Sequence, residues 1–315
     1  MRQLKGRCLI IYNPISGKGL NKKIIQKYYE ILYKKGFAVD FVTTKHSNHA
    51  TETVANADNY DIVFSIGGDG TLNEVVRGNY LRDSRMTICP LPSGTCNDVA
   101  SMLEYRKDLI ANLNMALDGE IHSIDIGTIN DKPFTYVVGM EKFMNIPYET
   151  NSVDKHKNGY IAYLKNALNE IFDKMKNYRA EVIIDGEKLT GAYSLIMVSN
   201  ANHIAGIDKF YKEVCLNDGL LEVLLCKATT KTQFIKSFLN FLIGKETDDI
   251  IHKKAQKVTI KLIDKPDKKW CIDGEKYDYD GCEYTIKTKG EMPFLTPSVK
   301  TKKLFRSKEG KICKI

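Results

Sequence analysis

Apolar runs and amphipathic stretches alternate along roughly the first 130 residues. CLIIYN, residues Cys8 to Asn13, predicts a strand buried on both faces. Asn21 to Lys35 places Ile24, Ile25, Tyr28, Ile31 and Leu32 on one helical face, and Gly36 stops it after Lys34 and Lys35. FAVDFVT follows as a strand, Thr51 to Asn59 as a short helix and DIVFSIG, from Asp61, as a third strand. A helix opens at Thr71 and runs to Arg77, and MTICPLP reads as a fourth strand. Strands alternating with helices predict a mostly parallel sheet covered on both faces.

The pattern changes after about Gly127. AEVIIDGEKLTG, YSLIMVSN, GLLEVLLC, KVTIKLI and KKWCIDGEKY read as strands and hairpins. Two helical stretches interrupt them, Ile161 to Met175 and the strongly apolar Thr232 to Gly244. The expected fold is an α/β domain with a parallel sheet, residues 1–129, followed by a mainly antiparallel β domain, 130–290. A return segment and basic tail, 291–315, complete the chain.

Composition narrows the class. No stretch approaches 18 consecutive apolar residues, so no membrane span is expected. The apolar run near the N-terminus is too short for a secretion signal. Eight scattered cysteines without a CxxC pair read as reduced thiols of a cytosolic protein, not as a zinc site. The six histidines form no ligand spacing. The formal charge of +8 is uneven: Lys300 to Ile315 hold seven bases and one acid, and the remaining 40 bases and 38 acids leave +2. Such a body does not read as coating nucleic acid, and stacking aromatics on a basic face are not evident.

Three polar loops follow the apolar strands. The first is Asn13-Pro14-Ile15-Ser16-Gly17-Lys18-Gly19, where glycines permit close approach to a phosphate and Lys18 adds charge. It is not a Walker loop, since GxxxxGK[ST] is absent. The second is Gly67-Gly68-Asp69-Gly70-Thr71-Leu72-Asn73-Glu74, where a strand ends on paired glycines and Thr71 suits a helix N-cap. Free amides and the helix dipole there favour an anion such as ATP phosphate. Asp69 would act through magnesium or water. The third is Leu91-Pro92-Ser93-Gly94-Thr95-Cys96-Asn97-Asp98, in which Thr95 could cap a helix and Asp98 would approach Asp69 if the strands are neighbours. Loops at the carboxyl ends of parallel strands form ligand sites, and three at one edge reinforce each other.

The ordered set NPISGKG, GGDGTLNE and LPSGTCNDVA resembles the bacterial soluble diacylglycerol kinases and the related sphingosine and ceramide kinases. The resemblance is strong over residues 7 to 130 and continues through NGYIAYLKNAL, NDGLLEV and WCIDGE. It implies an α/β nucleotide domain, a β-rich second domain, an active site between them, and Mg²⁺-dependent transfer of the ATP γ-phosphoryl group to a lipid hydroxyl. By that resemblance, Asn13 to Lys18, Thr44, Gly67 to Asn73 and Thr95 line the ATP site. Asp69 and Asp98 join the magnesium network. Asp218, with the carbonyls of Cys215 and Leu220, forms a structural Mg²⁺ site. Asp273 or Glu275 supplies the general base.

Asp-Gly-Glu occurs three times, at Asp118, Asp185 and Asp273, and Asp-Gly is also a favoured hairpin turn. The chain departs from the family at Gly139 to Met144 and at Ile204-Ala205-Gly206, where members are richer in glycine. The acceptor therefore stays open. Diacylglycerol is the first expectation, with another lipid, NAD, or a catalytically weak binding protein as alternatives. A lipid acceptor implies peripheral contact with an anionic inner membrane surface from the cytoplasm. Two elements are candidates for it: the apolar helix with Phe234, Phe238 and Phe241, and the tail with Leu304, Phe305, Ile312 and Ile315. Association as a homodimer is a further possibility.

Overall fold

The computed structural model describes residues 6–17, 20–106, 108–140, 177–264, 270–277, 279–297 and 301–305. Lys18, the departure at residues 141–144, the helix expected over Ile161–Met175 and the tail after Phe305 lie outside these.

The first half alternates β1 (Gly6–Tyr12), α1 (Lys22–Lys34), β2 (Phe37–Thr43), α2 (His49–Ala55), β3 (Ile62–Gly67), α3 (Asp69–Tyr80) and β4 (Thr87–Pro92). Short α4 (Asp98–Met102) and α5 (Leu109–Leu117) follow. The four strands are parallel, in the order β2-β1-β3-β4. Every residue of β3 and β4 is buried, as continuous apolar runs require when helices cover both faces. On α1, Tyr28 and Leu32 face the core, and the Asn21 side chain accepts the Ile24 amide as an N-cap.

The second half contains β5 (Glu120–Ile129), β6 (Lys132–Phe134), β7 (Val137–Met140), β8 (Tyr178–Ile184), β9 (Glu187–Tyr193) and β10 (Leu195–Ser199). A small hairpin, β11 (His203–Ile204) and β12 (Ile207–Asp208), precedes β13 (Leu221–Cys226) and α6 (Lys231–Leu242). Then come β14 (Ile250–Ala255), β15 (Lys257–Leu262), β16 (Trp270–Ile272), β17 (Glu275–Tyr277) and β18 (Glu283–Thr296). Strands β14-β13-β10-β7-β16-β17 form one antiparallel sheet. A core including Val138, Val182, Val198, Val223, Ile260 and Trp270 packs that sheet against the strands around β8, β15 and β18.

The fourteen-residue β18 joins the halves. Its first part pairs with β15, it pairs with β5 from Ile286 to Thr296, and near its end Phe294 lies opposite Ile88 of β4. A register shift between Thr288 and Glu291 bends the strand as it crosses.

Four expectations need correction. Helix α3 starts at Asp69 with Gly68 as its N-cap, so Thr71 does not cap it. Asn97, with φ 56°, precedes α4, so Thr95 caps nothing there. The apolar side of α6 is not a free membrane face: Phe234 and Phe238 are fully buried, and Phe238 and Phe241 pack on Phe210. Only Ile243, just past its end, stands out at 59% exposure. The tail changes likewise. Phe305 is buried and stacks on His122 at 4.3 Å, while the Leu216 amide donates to the Leu304 carbonyl at 2.8 Å. Leu304 and Phe305 are therefore core anchors.

Candidate active site

The three polar loops meet at the carboxyl ends of β1, β3 and β4. Asn13 Nδ2 donates to Thr71 Oγ1 at 3.0 Å, joining the first loop to the second. The Ser93 amide donates to the Gly67 carbonyl at 2.9 Å, joining the third to the second. Ser16 and Ser93 hydroxyls lie 3.4 Å apart. A side chain at position 94 would put its Cβ 2.6 Å from the Gly68 Cα, so this packing demands glycine. The third loop is closed on itself by Asn97, which accepts the Gly94 amide and donates to the Gly94 carbonyl.

The first intrahelical bond of α3 runs from the Leu72 amide to the Gly68 carbonyl, which leaves the amides of Asp69, Gly70 and Thr71 ahead of it. They open beside a cleft of about 290 Å³ bordered by Gly68 to Gly70, by Thr95, Cys96 and Asp98, and by Asp273 to Glu275. This pairing of free amides with the positive end of a helix suits a phosphate. Of the other residues expected to meet nucleotide, Pro14 and Ile15 are exposed at the loop tip. Thr44 is tied to β1 through its amide, which donates to Tyr12 O. The Leu72 side chain is buried in the core. Asn73 turns its amide onto Asp273.

Asp69 and Asp98 face one another. Asp98 is almost fully buried and accepts the amides of Ala205 at 2.9 Å and Gly206 at 3.0 Å, with the Tyr136 hydroxyl and His203 beside it. Burial raises its pKa, opposed first by His203. Asp69 accepts the Val99 amide. Its pKa is pushed up to about 7, mainly by burial and then by the charge of Asp98. Two crowded carboxylates with too little positive charge between them fit a hard divalent cation such as Mg²⁺.

The hairpin between β16 and β17 brings the last carboxylates. Asp273, 2% exposed, has φ 48° at its turn. Its carboxylate accepts the Thr135 amide at 2.6 Å, the Tyr136 and Val137 amides at 3.0 Å each, and Asn73 Nδ2 at 2.5 Å. Burial raises its pKa and these four donors oppose the rise. Asp185 in the β8–β9 hairpin makes the same kind of turn, with its carboxylate on the Gln256 and Lys257 amides. Asn130 does so between β5 and β6, with its carbonyl on the Thr285 amide. Asp273 thus does what two residues outside the cleft do: it clamps a neighbouring segment.

Glu275 is placed differently. A Cβ on Gly70 would come 3.0 Å from its Oε1, so this carboxylate lies over the start of α3. Its pKa is raised, first by burial and then by Glu74, while Arg77 and Lys132 hold it down.

Asp218 does not border the cleft. It accepts the Leu220 amide at 3.1 Å, and the neighbouring Gly219 amide donates to buried Asp125 at 2.7 Å. One carboxylate and the carbonyls of Cys215 and Leu220 would suit a cation that keeps several waters. Among the described residues, no group of three His, Cys, Asp or Glu side chains is gathered for a metal. Sequence reasoning missed Tyr136, His203, Ala205 and Gly206. The last two act through backbone amides, which leave no mark on residue identity.

Comparisons with known proteins agree over both halves. A family model described as the diacylglycerol kinase catalytic domain matches residues 7–129, and one described as the YegS C-terminal NAD kinase beta sandwich-like domain matches 144–286. A diacylglycerol kinase of Bacillus subtilis strain 168 is 30% identical over 264 residues, covering 82% of this chain and 87% of the relative. A diacylglycerol kinase of Staphylococcus aureus strain Newman is 29% identical over 276 residues, covering 86% and 87%. A crystal structure of a Bacillus anthracis diacylglycerol kinase shares the fold with TM-score 0.70 at 21% identity, covering 92% of this chain and 97% of that one.

The raised pKa of Asp69 makes a stability prediction. Between its unfolded value, about 3.9, and its folded value near 7, only the unfolded chain releases the proton, so metal-free stability falls as pH rises. Asp69→Asn is expected to raise metal-free stability at pH 8 by about 1–3 kcal/mol and to give no gain at pH 3, by denaturant titration. A loss at pH 8 would contradict the crowded-carboxylate account.

Proposed function

This chain belongs to the diacylglycerol kinase family and is a kinase, and from that premise we propose that it transfers the γ-phosphoryl group of ATP to a lipid hydroxyl. We take diacylglycerol as the acceptor and phosphatidic acid as the product, following the names of its relatives. The observation that carries this reading is the position of Glu275 over Gly70, at the end of α3 where amides stand free. A hydroxyl entering there meets a carboxylate base on one side and a phosphate cradle on the other.

The proposed reaction is a direct transfer. The lipid hydroxyl oxygen attacks the γ-phosphorus while its proton passes to Glu275, and the bond to the β-phosphate bridging oxygen breaks. Asp273 is not our base, because its two oxygens already accept four hydrogen bonds. It holds the hairpin that carries Glu275. Asn13 to Lys18, Thr44, Gly67 to Thr71 and Thr95 form the proposed nucleotide side. Mg²⁺ would be held by Asp69 and Asp98 and would neutralise phosphate charge, and a structural Mg²⁺ would sit at Asp218, Cys215 and Leu220.

Residues 1–129 would be the nucleotide domain and 130–290 the lipid domain, with β18 shared between them. No described helix is long and apolar enough to cross a membrane, so the substrate would be met at the inner surface by peripheral contact from the cytoplasm. The bases from Arg306 onward are the proposed membrane element, since Leu304 and Phe305 belong to the core.

Glu275→Gln is expected to lower kcat by about 10²–10⁴-fold while ATP affinity is kept. In the wild type, kcat/KM for lipid should fall with decreasing pH through a pKa above the ordinary glutamate range, as the base takes up its proton. Wild-type turnover of diacylglycerol vesicles by Glu275→Gln would remove it as the base. Deleting residues 306–315 should weaken binding to anionic vesicles at low salt by about tenfold or more without lowering the unfolding temperature. Unchanged vesicle sedimentation would take the tail out of membrane contact.

A further inference from the structure

The turn of the β11–β12 hairpin closes on one carboxylate. Asp98 Oδ2 accepts the Ala205 amide at 2.9 Å, and Oδ1 accepts the Gly206 amide at 3.0 Å. Ala205 and Gly206 are the two turn residues, with φ of 53° and 73°. Two positive φ values in succession favour asparagine or glycine at the first position, and alanine there is strained. Such a turn persists where its surroundings hold it, and here Asp98 does so. Asp98 and Ala205 also border the active-site cleft, so the hairpin anchors a residue of the cleft.

A side chain of the hairpin reaches the same carboxylate. His203 Nε2 lies 3.4 Å from Asp98 Oδ1, and His203 Nδ1 lies 3.8 Å from Asp208 Oδ1. His203 and Asp208 are paired across the two strands, so the ring stands between a buried carboxylate at the cleft and a 73% exposed one at the surface. His203 first, and then the amide and charge of Lys209, hold Asp208 below the ordinary carboxylate range. On its other side Asp98 faces Asp69, whose pKa its charge helps to raise. A carboxylate facing a like charge needs a restraint to stay in place, and the Tyr136 hydroxyl and the hairpin supply it.

We propose that His203 is a positioning residue for Asp98, and that Asp208 in turn orients the His203 ring. The proposal rests on the reading of Asp69 and Asp98 as the pair that holds Mg²⁺. Neither His203 nor Asp208 would touch the metal. They would hold Asp98 toward Asp69 before a cation arrives, so that metal binding does not have to supply that ordering. Residues that orient a metal-binding side chain in this way typically change metal affinity by about 10–100-fold when removed.

Titration of the full chain with Mn²⁺ alone, followed by electron paramagnetic resonance, tests the role. The cleft site is the Mn²⁺ that the wild type binds and Asp98→Asn does not. His203→Ala is expected to raise the dissociation constant of that site by about tenfold or more. His203→Gln keeps a side-chain donor and should recover most of the affinity. Asp208→Asn, at an exposed position, should also weaken binding, and should add nothing in the His203→Ala background. In turnover, the Mg²⁺ concentration for half-maximal rate should rise in the same order, with kcat regained at saturating Mg²⁺. A merely structural role would lower kcat at every Mg²⁺ concentration. Unchanged or tighter Mn²⁺ binding by His203→Ala, no recovery in His203→Gln, additive effects of His203→Ala and Asp208→Asn, or a kcat that saturating Mg²⁺ does not restore would each overturn the proposal. Wild-type Mn²⁺ binding by Asp98→Asn would overturn the reading of Asp98 as a metal ligand, and the proposal with it.

Discussion

The buried carboxylate of Asp273 is the contact on which the arrangement of the cleft depends. It receives a side-chain donor from α3 and three backbone donors from residues 135–137, while its own backbone belongs to the hairpin bearing Glu275. One anion therefore fixes three segments, including two separated by 200 positions in sequence. An unpaired buried charge is expensive, so the four donors are needed for the carboxylate to stay there at all. This cost makes the contact specific: displacing α3 from the hairpin would strip a donor from a buried anion. Glu275 is held over the first turn of α3 as a consequence.

The same logic of close, satisfied contacts shapes the proposed nucleotide side. Backbone approaches backbone at Gly68 and Gly94, and the three loops brace one another through Asn13, Thr71, Ser16 and Ser93. These loops rest on a parallel sheet whose strands are buried throughout, while Glu275 comes from the antiparallel half. The bent strand β18 makes the two halves continuous by pairing with β15 at one end, with β4 at the other and with β5 along most of its length. Packing a rigid cradle against a clamped hairpin is a means of holding reacting groups near each other before chemistry.

Much of the fold is legible in the chain because its signals are local. Apolar runs ending in glycine-rich loops mark β1, β3 and β4, and Asn21 marks the start of α1. What sequence could not separate were residues of the same type in the same motif. Asp185-Gly186-Glu187 and Asp273-Gly274-Glu275 both make left-handed turns, and both aspartates clamp a neighbouring segment. Their glutamates diverge: Glu187 pairs with Lys253 at 2.5 Å, whereas Glu275 lies over Gly70. That difference is made by tertiary packing. Likewise, Leu304 and Phe305 sit among bases in sequence, yet His122 and Leu216 draw them into the core.

If Asn73 and Asp273 act as a single latch, their effects on catalysis cannot be independent. The most direct measurement is a double-mutant cycle of Asn73→Ala and Asp273→Asn in kcat/KM for diacylglycerol. The account predicts that the second substitution adds little to the first, with a coupling of about 1.5–3 kcal/mol. Additive losses, with coupling below about 0.5 kcal/mol, would show that the two residues do not work through one contact.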